Sequence, residues 1–137
     1  MRADCHMHTY FSGDSEAKPE DMVLAAIDKG LEAICFTDHE DIDYFCDDIE
    51  FVFDPETYFK ELGALKEKYK EKLDIRIGVE FGLQPHLAKK AKAFTVANPY
   101  DFVIGSMHVV GGKDPYYPEF FEGISDEEPT GVHFGRQ

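Results

Sequence analysis

The chain has 137 residues, 43% of them apolar and 14% aromatic, which is enough for one domain with a buried core and excludes disorder throughout. Lys and Arg number 14 against 28 Asp and Glu, and the resulting net charge of −14 excludes binding of nucleic acid or anionic membrane through a bare basic surface. Any phosphate the protein handles therefore needs positive charge from something other than side chains.

Taken in chain order, residues 2–8 read as a first strand. Residues 19–29 read as a helix: Pro19 suits the first turn, Val23, Leu24, Ile27 and the pair Ala25/Ala26 form an apolar stripe, and Gly30 ends it. Residues 31–37 form a second strand, and the acidic stretch 40–53 reads as a long loop. A second helix opens at Asp54-Pro55, carries Tyr58, Leu62, Leu65 and Tyr69 at helical spacing, and runs to Leu73. Residues 75–81 form a third strand, 85–96 a third helix with Leu87, Ala91 and Phe94 inward, and 101–110 a fourth strand. Beyond Val110, GGKDPYYPEFFEG reads as a structured loop. Ser125 and Glu128 then give a capping signal whose helix is cut short by Pro129-Thr130-Gly131. The order β-α-β-α-β-α-β implies an α/β architecture with parallel strands and right-handed crossovers, either a small open sheet or half of a closed barrel. No apolar run approaches the roughly 20 residues of a spanning helix. The N-terminal Met-Arg-Ala-Asp-Cys is not an apolar signal segment. Cysteines 5, 35 and 46 lack metal-type spacing and suit a reducing cytoplasm better than a disulfide scaffold.

Each expected strand delivers a metal-ligand type of residue at or near its C-terminal end, where sites assemble in parallel α/β folds. Strand one carries Asp4, His6 and His8 at alternate positions, expected on one face, and its following loop adds Asp14. Strand two runs into Thr37-Asp38-His39. Strand three ends in Glu80 after Ile75, Ile77 and Val79. Strand four ends in His108 after Val103 and Ile104. A single histidine is more often structural or solvent-facing than a ligand, and Asp38 reads equally well as a cap or a loop charge. Paired imidazoles on one strand and a carboxylate inside an apolar strand need partners, however, and the joint pattern outweighs any member. Mixed His and carboxylate donors suit Zn²⁺, Fe²⁺ or Mn²⁺, and five or six of them suit more than one ion. Two ions about 4 Å apart hold a phosphoryl group and lower the pKa of a shared water, which is metal-assisted hydrolysis. Such ions would also supply the positive field that the side chains lack.

Other features carry less. Gly78 and Gly82 do not open a phosphate-binding glycine loop. Cys5 and Cys35 read as small buried residues on neighbouring strands, and the acidic neighbours of Cys46 raise rather than lower a thiol pKa. The lysine-rich run 66–72 reads as a solvated helix face, His86 as exposed, and His133 has no assigned role.

The segments Asp4-Cys5-His6-Met7-His8-Thr9, Ser12-Gly13-Asp14-Ser15, Thr37-Asp38-His39, Gly78-Val79-Glu80 and Gly105-Ser106-Met107-His108, in that order, resemble the first motifs of the PHP (polymerase and histidinol phosphatase) superfamily. GVEFGLQPH and GSMHVVGGKDPYYPEFFEG are similar to its histidinol-phosphatase branch. The resemblance covers residues 1–128 and implies the first half of a distorted seven-stranded (β/α) barrel, with residues 129–137 a non-matching tail. It implies a cytoplasmic enzyme of histidine biosynthesis that hydrolyses histidinol phosphate to histidinol and phosphate with two or three divalent ions, zinc, manganese or iron. By the resemblance, His6, His8 and Glu80 bind one metal, Glu80 bridges to a second that His108 also binds, and Asp14 and His39 bind a third. The attacking group implied is metal-bound water, so no side chain is assigned as acid, base or nucleophile.

Family members are about twice this long, and the rest of their chain supplies an Asp, two His and the basic residues that hold substrate phosphate. The expectation is therefore a truncated, frame-shifted or deliberately cut chain in which each metal has lost a ligand. A half-barrel leaves strands one and four with open edges, which a second copy or a separate C-terminal half would cover, and a stable monomer at high concentration is not expected. Two alternatives stand beside the phosphatase: a non-catalytic metal-binding fragment, and a PHP phosphoesterase with another phosphate substrate. The negative charge disfavours DNA as that substrate.

Overall fold

A computed structural model describes residues 1–44 and 51–122; Cys46, the Ser125 capping signal, His133 and the tail 129–137 lie outside them. The element order is β1 (Ala3–Met7), α1 (Pro19–Asp28), β2 (Ala33–Phe36), β3 (His39–Glu40), α2 (Pro55–Tyr69), β4 (Asp74–Gly82), α3 (Ala88–Ala97) and β5 (Phe102–Ser106). All strand pairs are parallel. β2 and β3 run in line along one side of β4: Ala33 lies opposite Asp74 and His39 opposite Glu80, the same separation in sequence. Between them the Glu80 N–H donates to the Asp38 carbonyl. They are one strand interrupted at Thr37 and Asp38, so the sheet of the described residues has four strand lines in sequence order, as the βα alternation requires.

Alternation along β4 sorts its residues onto two faces. Ile75 and Ile77 join Ile34 and Phe36 of β2 in a core with Val23 and Ala26 of α1 and Tyr58, Leu62 and Leu65 of α2. Phe81, on the same face of β4, lies 5.6 Å from the ring of Phe94 on α3. All three helices thus cover one face, as each must to bury its apolar stripe, and each fully buried large side chain contributes roughly 1.5–3 kcal/mol. α2 starts where Asp54 accepts from the Thr57 N–H at 2.9 Å, with Pro55 in its first turn. The Tyr58 hydroxyl ties α2 to the interrupted strand, donating to the Gly78 carbonyl at 3.1 Å and accepting from the Asp38 N–H at 3.4 Å.

Several expectations are corrected. Strand two extends through β3 into the expected 40–53 loop. α2 ends at Tyr69, whose carbonyl accepts from both Lys72 and Leu73, so the segment to Leu73 is a turn. The third helix starts with a 3-10 turn, Pro85–Leu87, and of its expected inward residues only Leu87 is fully buried. β5 stops at Ser106, so His108 lies beyond the strand and the run before it is largely exposed. Leu24 is half exposed, and Cys5 is exposed because β1 is an outer strand; Cys35 on β2 is buried as expected. Among the described residues, no strand pairs with the outer edges of β1 and β5, and Phe102 and Val103 of β5 are 48% and 41% exposed. No helix among them is long and apolar enough to cross a membrane.

Candidate metal centre

The site lies on the face of the sheet opposite the helices. Register places it: His39 is the direct neighbour of Glu80 across β3 and β4, and side chains of paired residues in a parallel sheet share a face. The pairing of β1 with β2 shifts between Asp4 and Met7, and this bulge takes Asp4 out of step with the histidines. Asp4 is exposed, and its carboxylate turns back to accept from the His6 N–H at 3.2 Å, so the expected common face holds for His6 and His8 only. Asp38 is also outside the cluster. It is fully buried and accepts from the N–H and hydroxyl of Thr9 at 2.5 and 2.9 Å, holding the start of the loop that carries Asp14.

The other six expected residues converge. Glu80, 4% exposed, is at the centre. Its Oε2 lies 2.9 Å from His8 Nε2, 3.5 Å from His6 Nε2 and 3.7 Å from His39 Nδ1. Its Oε1 lies 3.1 Å from His108 Nε2 and accepts from the Ser106 hydroxyl at 2.6 Å. Asp14 Oδ2 is 3.1 Å from His8 Nδ1 and 3.4 Å from His39 Nε2. Among the described residues three overlapping donor groups result: His6, His8 and Glu80; His8, Asp14 and His39; His39, Glu80 and His108. Within each group the donor atoms lie within 4.8 Å of one another, a spacing that could hold a metal ion. His39 Nδ1 is buried without a hydrogen-bond partner among the described residues, which suits a donor set built for a cation.

The electrostatics show how strongly the cluster attracts positive charge. The hydrogen bond to Glu80 raises His8 to about 9 against the opposing effect of burial, with Asp14 assisting. His108 is raised to about 10, first by Asp41 and then by Glu80. Burial alone would raise Glu80, but His108, His8 and Ser106 together outweigh it and hold the carboxyl far below its usual range. Without a metal, protons on His8 and His108 supply charge that the carboxylates demand.

Four residues that the sequence reading did not assign support the cluster. Asp41, 5% exposed and within the acidic stretch 40–53 expected as a loop, accepts from His108 Nδ1–H at 2.8 Å. Thr37 places its hydroxyl 3.2 Å from His6 Nδ1, and Ser12 accepts from the His39 N–H at 2.8 Å. Ser106, two residues before His108, donates to Glu80. His86, exposed and 3.1 Å from Asp43, is outside the site, and Lys66, Lys68 and Lys70 of the 66–72 run pair with carboxylates at the surface.

The cluster lines a cleft of about 600 Å³ together with Tyr44, Phe51, Asp114, Tyr116 and Tyr117. Among the described residues, none that lines it is Lys or Arg.

Residues 4–130 match the PHP domain family. The chain is 37% identical over 115 residues to a histidinol-phosphatase of Lactococcus lactis subsp. lactis (strain IL1403), a match covering 84% of this chain and 42% of that protein. It is 33% identical over 134 residues to a "Probable histidinol-phosphatase" of Clostridium acetobutylicum, covering 98% and 50%. The crystal structure of the Lactococcus lactis histidinol phosphate phosphatase complexed with zinc, L-histidinol and phosphate has a TM-score of 0.77 to it at 38% identity, over 81% of this chain and 41% of that one. The four strand lines with helices on one face form a half-barrel of the kind that structure contains. The chain spans half or less of the length of these relatives.

Proposed function

Because the chain belongs to the PHP domain family, we propose that it carries the metal-binding part of a phosphomonoesterase of histidinol-phosphatase type. The observation that carries this reading is Glu80, a buried carboxylate within ion-pair reach of four imidazoles. His6, His8 and Glu80 would hold one divalent ion, Glu80 and His108 a second, and Asp14 and His39 a third. Zinc, the metal of the Lactococcus structure, suits these donors, as do manganese and iron. Such ions, when bound, neutralise phosphate oxygens and lower the pKa of water. The chain's own residues hold the ions' positions: Glu80 through both oxygens, the imidazoles through their orientation toward it, and Asp14 from the loop after β1. The substrate is a small phosphate monoester, histidinol phosphate by the chemistry of the relatives. A cytoplasmic setting is part of the same reading, supported by the unpaired Cys5 and Cys35.

A second reading has its own support. Among the described residues no Lys or Arg lines the cleft to meet a phosphate, which favours a chain that binds metal without turning over substrate. Elemental analysis together with phosphatase assays separates the two, using histidinol phosphate and an aryl phosphate with added Zn²⁺ or Mn²⁺. The phosphatase reading expects bound metal and turnover, both lost in His6→Ala and Glu80→Gln. Metal without turnover supports the second, turnover of the aryl phosphate alone points to another substrate, and absence of metal refutes both.

The outer edges of β1 and β5 belong to this proposal. A second copy is the occupant proposed for them, because it would bring further parallel strand lines to edges that no described strand covers.

A further inference from the structure

We infer that Asp41 is a positioning residue of the metal centre, holding His108 so that Nε2 and not Nδ1 is the atom offered to an ion shared with Glu80. The inference rests on the proposed metal-binding role of the cluster and adds a residue to it. A carboxylate only accepts, so in the metal-free chain His108 donates from Nδ1 to Asp41 Oδ2 at 2.8 Å and from Nε2 to Glu80 Oε1 at 3.1 Å; an ion shared with Glu80 would take the place of the Nε2 proton, while Asp41 keeps the hydrogen on Nδ1. Orientation of a ligating histidine by a carboxylate on its other ring nitrogen is a general feature of metal sites. The same Oδ2 lies 3.3 Å from His39 Nδ1, close enough to attract it but out of line for a hydrogen bond.

The fold is shaped to hold Asp41 in this place. Its backbone N–H donates to the Phe51 carbonyl at 2.7 Å, and its carboxylate packs over Gly82 at the end of β4. A Cβ on residue 82 would stand 1.9 Å from Asp41 Oδ1 and 2.8 Å from its Cγ. Only glycine leaves room for a carboxylate there. The two residues form a unit in which neither is among the proposed metal-binding residues, yet both fix where His108 points.

The test is zinc affinity, measured by competition with a chromophoric chelator, together with ¹⁵N NMR of the zinc-loaded chain. In the wild type, His108 should carry its proton on Nδ1 and ligate through Nε2. Asp41→Asn keeps the shape and removes the charge; it should weaken zinc binding roughly 10- to 100-fold. Gly82→Ala should weaken it as well, by displacing Asp41 while leaving every proposed ligand in the sequence. Glu40→Gln, a change at the adjacent buried carboxylate on the helix-covered face, should leave zinc affinity within twofold. Ligation of His108 through Nδ1, wild-type affinity in Asp41→Asn, or an equal loss in Glu40→Gln would overturn the inference while leaving the metal reading intact. A wild-type chain that takes up no zinc would overturn both.

Discussion

Replacing Glu80 with Gln preserves shape and removes the charge around which the imidazoles gather, and its effect differs between His8 and His108. Glu80 is the largest cause of the rise of His8 from 6.5 to about 9, whereas His108, at about 10, owes its rise first to Asp41. A rise of that size at His8 corresponds to about 3 kcal/mol of preference for the imidazolium. In metal-stripped Glu80→Gln, His8 keeps only Asp14 at 3.1 Å and should titrate more than one pH unit lower, while His108 keeps Asp41 at 2.8 Å and should move less. Histidine NMR titration measures both. An unchanged His8, or a larger drop at His108, would refute the reasoning. Stability follows the same linkage. A histidine with a raised folded-state pKa contributes stability that is full below pH 6.5 and lost as pH rises through 9 to 10. Glu80, lowered, contributes stability that is full above 4.5 and lost at strongly acid pH. The metal-free protein should therefore be most stable between pH 4.5 and 6.5 and lose stability toward pH 9, a loss that Glu80→Gln should reduce. Zinc-loaded protein should gain from the same rise in pH, because ligating imidazoles must shed their protons.

Glu40, on the helix-covered face, is raised to about 7 by burial, so its handicap to the folded state grows from pH 4.5 and is complete above 7. Glu40→Gln should stabilise the chain by up to about 3 kcal/mol at pH 8 and by little at pH 4, read from urea midpoints; equal effects at both would contradict this. Gly78→Ala places a Cβ 2.7 Å from the Phe102 carbonyl oxygen and 3.1 Å from that of Phe36, so it should cost about 1–3 kcal/mol and lower the urea midpoint at constant slope. Sedimentation equilibrium should show concentration-dependent dimerisation, promoted by salt that screens the −14 charge; a compact monomer at all concentrations would exclude closure by a second copy.

Much of this protein is legible in local pattern. Periods of two and 3.6 residues identify the strands and helices, and a His or Glu near the end of each strand line identifies the cluster, because alternation and strand polarity are properties of the chain segment itself. Other features depend on the partner strand. The bulge that takes Asp4 out of step, and the in-line register that makes β2 and β3 one strand, arise only when strands pair. The sequence cannot distinguish Asp38 from Asp41: both are acidic residues near the end of one strand line. Tertiary structure turns Asp38 toward Thr9 and sets Asp41 over Gly82 against His108, a residue 67 positions away. Ligand type is a property of side chains, but the direction in which an imidazole offers its nitrogen is decided by what packs behind it.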